Sequence, residues 1–152
     1  LCTGGGTDMI STRGRYALRM MLDLAANQAE GYVALKDVAA RQGISKKYLE
    51  QIIPVLNRAG LLQTARGVQG GYRLTRRPEE YTLGDVLRAT EATLASVACL
   101  EAGAESCPRQ GDCLTYPVWI GLDKVVNDYL DSITLQDILD RRQNAVGNDY
   151  VI

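Results

Sequence analysis

In the stretch ISKKYLEQIIPVLNRAGLLQTARGVQGGYRLT, from Ile44 to Thr75, a helical apolar stripe gives way within a few residues to two short extended pieces joined by glycines. Leu49, Ile52, Ile53 and Leu56 recur at the i, i+3, i+4, i+7 spacing of a buried helix face, with Ser45 placed to cap its start and Gly60 to end it. Pro54 falls inside this helix, where it removes a backbone donor and crowds the preceding turn, so a kink or break is expected near IIPVL. Upstream, KDVAARQ reads as a second helix closed by Gly43, and the short turn QGISKK joins the two. A helix pair with Lys46, Lys47, Glu50 and Asn57 on its polar face has the layout of a helix-turn-helix, although an ordinary helical hairpin looks the same. The segment after Gly60 separates the two. Extended pieces at 61–65 and 72–75 flank a loop containing Gly67, Gly70 and Gly71, with Arg66 and Arg73 beside it. Helix, turn, helix, glycine-rich hairpin is the order of a winged helix, a mainly α fold with a small β-hairpin wing.

The flanking segments extend this plan. From Thr12 to Gln28, Ala17, Met20, Met21, Leu24 and Ala25 mark one face of a first helix, with Thr12 as a candidate N-cap, and GYVAL at 31–35 reads as extended. TLGD at 82–85 and TLQD at 134–137 resemble capping boxes with Asp in the place of Glu, which predicts helix starts near Leu83 and Leu135. Between them lies a loop rich in Gly, Ala, Ser and Pro, then a long helix over about Tyr116 to Leu130. Its stripe of Trp119, Leu122, Val126 and Tyr129, continued by Ile133, suits either the chain's own core or a symmetry mate in a short coiled coil. The mate is favoured, because a helix-turn-helix reads a palindromic site as a dimer. The expected organisation is a winged helix over 9–78, the cysteine loop and dimerisation helices over 79–142, and a flexible tail over 143–152. Residues 1–8, LCTGGGTD, read as an appended leader ahead of a natural start at Met9.

Net charge is −1, and the near-balance hides a division. From Met9 to Arg77 twelve Lys and Arg stand against four acids, and from Pro78 to Ile152 five stand against thirteen. A basic half followed by an acidic half suits one part that meets a polyanion and another that avoids it. No apolar run approaches the roughly 20 residues of a membrane span, and no basic-then-apolar leader is present, so the expected location is the cytoplasm.

CLEAGAESCPRQGDC places Cys99, Cys107 and Cys113 with seven and then five residues between them, in a chain with no histidine. Three thiols cannot all pair within one chain. Thiolates select zinc, copper(I) or iron-sulfur clusters, and both gaps exceed the short knuckles of structural zinc sites. Wider gaps on a loop suit a larger object such as an iron-sulfur core, with Glu101, Glu105, Asp112, Tyr116, a partner chain or a small molecule to complete the set. A reversible disulfide switch is the main alternative, and inert buried thiols a weaker one. A thioredoxin-like enzyme is disfavoured, since no Cys-x-x-Cys occurs and no helix start is expected where it would acidify a thiol. No P-loop, no Gly-x-Ser-x-Gly and no histidine base is present, so the chain is not expected to be an enzyme.

The runs STRGRYALRMMLDLA, ISKKYLEQIIPVLNRAGLL, ARGVQGGYRL, TLGDVLRATE, DCLTYPVW and DSITLQDIL, with the three cysteines, resemble the IscR/NsrR/RirA group of bacterial winged-helix regulators from Met9 to about Arg142. The resemblance implies a homodimeric transcription factor, expected to act as a repressor on a palindromic operator in double-stranded DNA and gated by an iron-sulfur cluster. It implies Cys99, Cys107 and Cys113 as cluster ligands. The helix capped by Ser45 becomes the recognition helix, with Lys46, Lys47, Tyr48, Glu50 and Gln51 at its DNA-facing start. Arg66 is then the minor-groove residue, with Gly70 and Gly71 letting the wing approach the DNA. The group's known fourth ligands do not carry over: Tyr116 stands where one branch has histidine, and Arg15 where another has aspartate. The seven-and-five spacing is closest to RirA-like members, which favours [4Fe-4S] over [2Fe-2S]. Two rival readings stay open, a metal-free thiol-switched DNA-binding regulator and a zinc-stabilised protein adaptor.

Overall fold

In the computed structural model, which describes residues 8–148, the order is α1 (Thr12–Asn27), α2 (Leu35–Gln42), α3 (Lys46–Arg58), β1 (Leu62–Ala65), β2 (Gly71–Leu74), α4 (Leu83–Thr90), α5 (Tyr116–Ser132) and α6 (Leu135–Asn148). This is the mainly α winged-helix architecture expected from the sequence. β1 and β2 form an antiparallel hairpin in the register Leu62 to Leu74 through Ala65 to Gly71. Val33, in the expected extended piece, exchanges both backbone hydrogen bonds with Tyr72 and ties the segment before α2 to the wing.

Local chemistry sets most boundaries. Ser45 caps α3, its Oγ accepting the Tyr48 N–H at 3.1 Å. Gly43 ends α2 in the left-handed region at φ 61°, where a side chain would be strained. Thr82 with Asp85, and Thr134 with Asp137, close reciprocal capping boxes at the starts of α4 and α6.

Three expectations need correction. The cap of α1 is Ser11 rather than Thr12: the Ser11 backbone is extended and its Oγ accepts the Gly14 N–H at 3.1 Å, while Thr12 is already helical. Pro54 does not break α3, which runs unbroken from Lys46 to Arg58. Pro54 is exposed, as is Glu50 one turn earlier, so the carbonyl it leaves without a donor is within reach of water. Finally, the expected tail over 143–152 begins inside α6, which runs on to Asn148 with no proline to stop it. Residues 149–152 lie outside the described residues, as do 1–7 with Cys2.

The main core joins Met20, Met21 and Leu24 of α1, Val38 of α2, and Leu49, Ile52 and Leu56 of α3 to Leu62 and Leu74 of the wing. Val86 of α4 and Leu135 of α6 belong to the same cluster, so packing is continuous across the division expected near Pro78. Tyr81 sits at this crossing, wholly buried. Its hydroxyl accepts the N–H groups of Thr75 and Arg76 at 2.9 and 3.0 Å and lies 3.1 Å from the Leu61 carbonyl, to which it donates. A second cluster of Leu87, Leu94 and Leu130, joined by Val126, packs α4 against α5.

Outside that apolar seam, Arg88 of α4 grips Asp131 of α5 through two bonds of 2.7 and 3.0 Å and donates to Asn127 at 2.8 Å. The bond from Arg88 holds the Asp131 carboxyl below the usual carboxylate range. A carboxyl lowered on folding stabilises the fold above its unfolded value and loses that contribution as pH falls through its lower folded value. Asp131→Asn is therefore expected to lower the melting temperature at neutral pH, with the gap closing as pH is taken below about 3.9. A gap unchanged down to the acid limit of folding would mean that the charge of Asp131 contributes nothing.

Candidate nucleic-acid interface and thiolate loop

The first turn of α3 projects its polar side chains outward because Leu49, Ile52, Ile53 and Leu56 turn the opposite face into the core. Lys46, Lys47, Glu50 and Gln51 are all exposed, and Tyr48 is half-buried. Among the described residues neither lysine forms an ion pair, so both ammonium groups are available to anions. Arg66 follows β1 directly and is exposed at the base of the wing, whose tip carries the fully exposed Val68.

Gly70 and Gly71 have an internal reason to be glycine. A Cβ on Gly70 would lie 2.3 Å from the Ala65 carbonyl oxygen, and one on Gly71 would lie 2.2 Å from that of Val33. The room they make is filled by the chain's own backbone, which packs the wing tightly against the segment before α2.

Basic α3 and the wing share the apolar core with α1, and a polar tie fixes the end of α2, just before α3, to the same α1. Buried Asp23 of α1 receives Arg41 Nη2 at 2.7 Å, Arg41 Nε at 3.0 Å and Gln42 Nε2 at 2.9 Å, all from the end of α2. A carboxylate removed from water survives in that state when its oxygens are filled by donors of this kind.

The cysteines lie on the segment between α4 and α5. Cys99 is exposed in a short 3₁₀ turn over Ala98–Leu100, Cys107 is exposed, and Cys113 is half-buried, all three as free thiols. Among the described residues no three Cys, Asp or Glu side chains are gathered as a metal site. The donor chemistry nevertheless fits a soft metal centre, and one thiol is already biased toward the thiolate. Cys113 Sγ lies 3.5 Å from Thr115 Oγ1, and that hydroxyl, then the backbone N–H groups of Thr115 and Tyr116 at the start of α5, pull its pKa down. A helix start is thus placed to acidify a thiol, contrary to the sequence expectation. The pattern DCLTYP conceals this because neither the turn at Thr115 nor the direction of its hydroxyl can be read from residue types.

The start of this segment, ahead of Cys99, is fastened twice. Glu91, directly after α4, accepts the Ser11 N–H at 2.9 Å and the Ser11 hydroxyl at 2.8 Å, so its carboxylate sits at the positive end of α1. A Cβ on Gly14 would lie 2.1 Å from Glu91 Oε1, which makes glycine a condition of this approach. Further along, Asp123 of α5 accepts the Ser96 N–H at 2.9 Å. Sequence reasoning missed Glu91, since a single acid after a helix carries no pattern.

The expected stripe of α5 is divided between two faces. Val126 packs on Leu87, Leu94 and Leu130, and Trp119 is half-buried, whereas Leu122 and Tyr129 face outward. Val118, Leu122, Val125 and Tyr129, at spacings of 4, 3 and 4, are 58%, 43%, 67% and 60% exposed. They form an apolar face that nothing in the chain covers among the described residues. No helix of the described residues is long and apolar enough to cross a membrane.

Residues 10–141 match the family described as "Rrf2: Iron-dependent Transcriptional regulator". The chain is 42% identical to Protein rrf2 of Nitratidesulfovibrio vulgaris over 130 residues, covering 86% of each chain. Among solved structures it resembles T. potens IscR at a TM-score of 0.72 and 39% identity, covering 93% of each chain. It also resembles CymR, the global cysteine regulator of B. subtilis, at a TM-score of 0.70 and 36% identity, covering 87% of this chain and 96% of that one.

Proposed function

Because the chain belongs to the Rrf2 family of transcriptional regulators, we propose that it is a homodimeric, sequence-specific DNA-binding regulator whose DNA affinity is gated by an iron-sulfur cluster on Cys99, Cys107 and Cys113. The observation that carries the reading is one chain with an outward basic helix start beside a wing and three thiols on a segment whose start, at Glu91 and Ser96, is tied to both α1 and α5. Ser45 holds the first turn of α3 in shape for the major groove. Lys46 and Lys47 take phosphates, Glu50 accepts from cytosine and Gln51 pairs with adenine. Arg66 enters the minor groove, where narrow A·T tracts attract guanidinium groups.

The cluster, when bound, supplies a redox- and iron-responsive cross-link among the three thiolates. The chain's own contribution is the pair of fastenings. Glu91 ties the lead-in to Cys99 to the N-terminus of α1, and Ser96 ties it to Asp123 of α5, so a change in order that spreads back from the cysteines reaches the DNA-binding unit and α5 together. The [4Fe-4S] form is favoured over [2Fe-2S] because the cysteine spacing resembles that of RirA-like members of the family.

Protein purified without oxygen is expected to carry iron and acid-labile sulfide in near-equal amounts, at about four of each per chain for the larger cluster. Cys107→Ala is expected to lose both. Carefully anaerobic protein with neither would sink the cluster reading. It would favour a metal-free thiol switch, the second reading, which rests on the acidified Cys113 thiol and predicts DNA affinity that responds to diamide and not to iron.

A further inference from the structure

The first turn of α3 does not stand free of α1. The half-buried Tyr48 ring meets the Tyr16 ring edge-on, with centroids 5.3 Å apart and planes at 76°. The Arg19 guanidinium lies 5.3 Å from the centroid of the same Tyr16 ring. Arg19 also donates from Nε to Gln42 Oε1 at 3.2 Å and from Nη2 to the Gln42 carbonyl. Gln42 is the last residue of α2, and its side-chain amide donates in turn to buried Asp23. One helix therefore grips both sides of the turn between α2 and α3, the end of α2 through Arg19 and Asp23 and the start of α3 through Tyr16.

Such a grip matters unequally for the two kinds of DNA contact. Hydrogen bonds to base edges from Glu50 and Gln51 have narrow distance and angle limits. Phosphate contacts from Lys46 and Lys47 are made by point charges on flexible stems and adapt to small displacements of the helix. We propose that Tyr16 and Arg19 are positioning residues for base readout: through the edge-on contact of Tyr16 with Tyr48 and the hold of Arg19 on Gln42, they set the angle and depth of the recognition helix without touching DNA. This rests on the DNA-binding reading above. It assigns a specificity role to two residues of α1 that lie outside the recognition helix and the wing.

The test uses the full chain, the duplex it enriches from a randomised library, and a scrambled duplex of equal length, with affinities measured across a salt series. Tyr16→Leu is expected to reduce the ratio of selected to scrambled affinity by about fivefold to tenfold, the worth of an aromatic pair. The slope of log affinity against log salt should stay as in the parent. Tyr16→Phe keeps the ring pair and should behave as the parent, which guards against a variant that merely misfolds. Arg19→Met should lose specificity with an unchanged slope. A slope reduced by about one in Arg19→Met would make Arg19 a phosphate contact, and weakened binding in Tyr16→Phe would make the hydroxyl a DNA contact; either overturns the proposal. Parent-like specificity in both Tyr16→Leu and Arg19→Met overturns it too. If the parent enriches no duplex, the DNA-binding reading itself fails, an outcome distinct from all of these.

Discussion

A chain carrying Leu122→Glu with Val125→Glu is expected to sediment as a monomer and to bind a palindromic duplex on the order of 100-fold more weakly than the parent, the worth of simultaneous two-site engagement. Both residues lie on the outer face of α5 with Val118 and Tyr129, and neither belongs to the apolar seam with α4. Their replacement should therefore leave the fold of the single chain intact, with an unchanged circular dichroism spectrum. The spacing of 4, 3 and 4 suits a two-helix seam, in which each apolar side chain enters a gap on the facing helix. Placing carboxylates there sets like charges opposite one another across the two-fold axis. Val126→Glu is the contrasting substitution, since Val126 packs on Leu87, Leu94 and Leu130 and its loss should lower the melting temperature of the chain itself. A dimer that persists in the Leu122→Glu, Val125→Glu chain would place the interface elsewhere.

The second large effect is expected at Tyr81. Tyr81→Phe removes one oxygen and keeps the ring, yet it strips a partner from the N–H groups of Thr75 and Arg76 and from the Leu61 carbonyl. Each buried backbone group left without a partner costs about 1–3 kcal/mol, reduced where water can reach it. Thr75 and Arg76 lie at the half-exposed edge of the wing, so a total of about 3 kcal/mol is the expected loss on that basis. For a chain of this size the melting temperature should fall by roughly 6–12 °C. Tyr81 joins the end of β2 to the turn after α3 and, through its own carbonyl, to the Leu135 N–H at the start of α6. Loosening this hub should also weaken DNA binding, because the wing loses its anchor to the helices. A melting temperature within a degree or two of the parent would show that water replaces the hydroxyl at no cost.

Most of the secondary structure was legible because its signals are local. Ser45, Gly43 and the Thr-x-x-Asp boxes act on groups within four residues of themselves, so residue types at those spacings suffice to predict the helix ends. The apolar spacing of α3 also indicated which of its faces is buried, since a stripe that narrow on a helix otherwise polar has only one way to leave water. The same logic was insufficient for α5. Its apolar residues cover more than half the circumference, and periodicity alone does not say which neighbour covers which part. Only the packing of Val126 on α4 divides the helix into an inner face and the outer face of Val118, Leu122, Val125 and Tyr129.

Pro54 illustrates the opposite error. The residue type predicts disruption, but the cost of the missing hydrogen bond depends on whether the orphaned carbonyl is buried, and the exposure of Glu50 and Pro54 is a property of how α3 sits on the core.

By itself the sequence determined the order of elements, the N-caps of α3, α4 and α6, the basic start of α3 and the three thiols on one loop, all of which are matters of residue type and short spacing. Tertiary structure decided the long-range polar partners: Tyr81 for the backbone of Leu61, Thr75 and Arg76, Glu91 for Ser11, and Arg19 for Gln42 across the helix-turn-helix. A single tyrosine, glutamate or arginine carries no periodic mark. Its role exists only when the fold brings a distant unsatisfied group within hydrogen-bond reach.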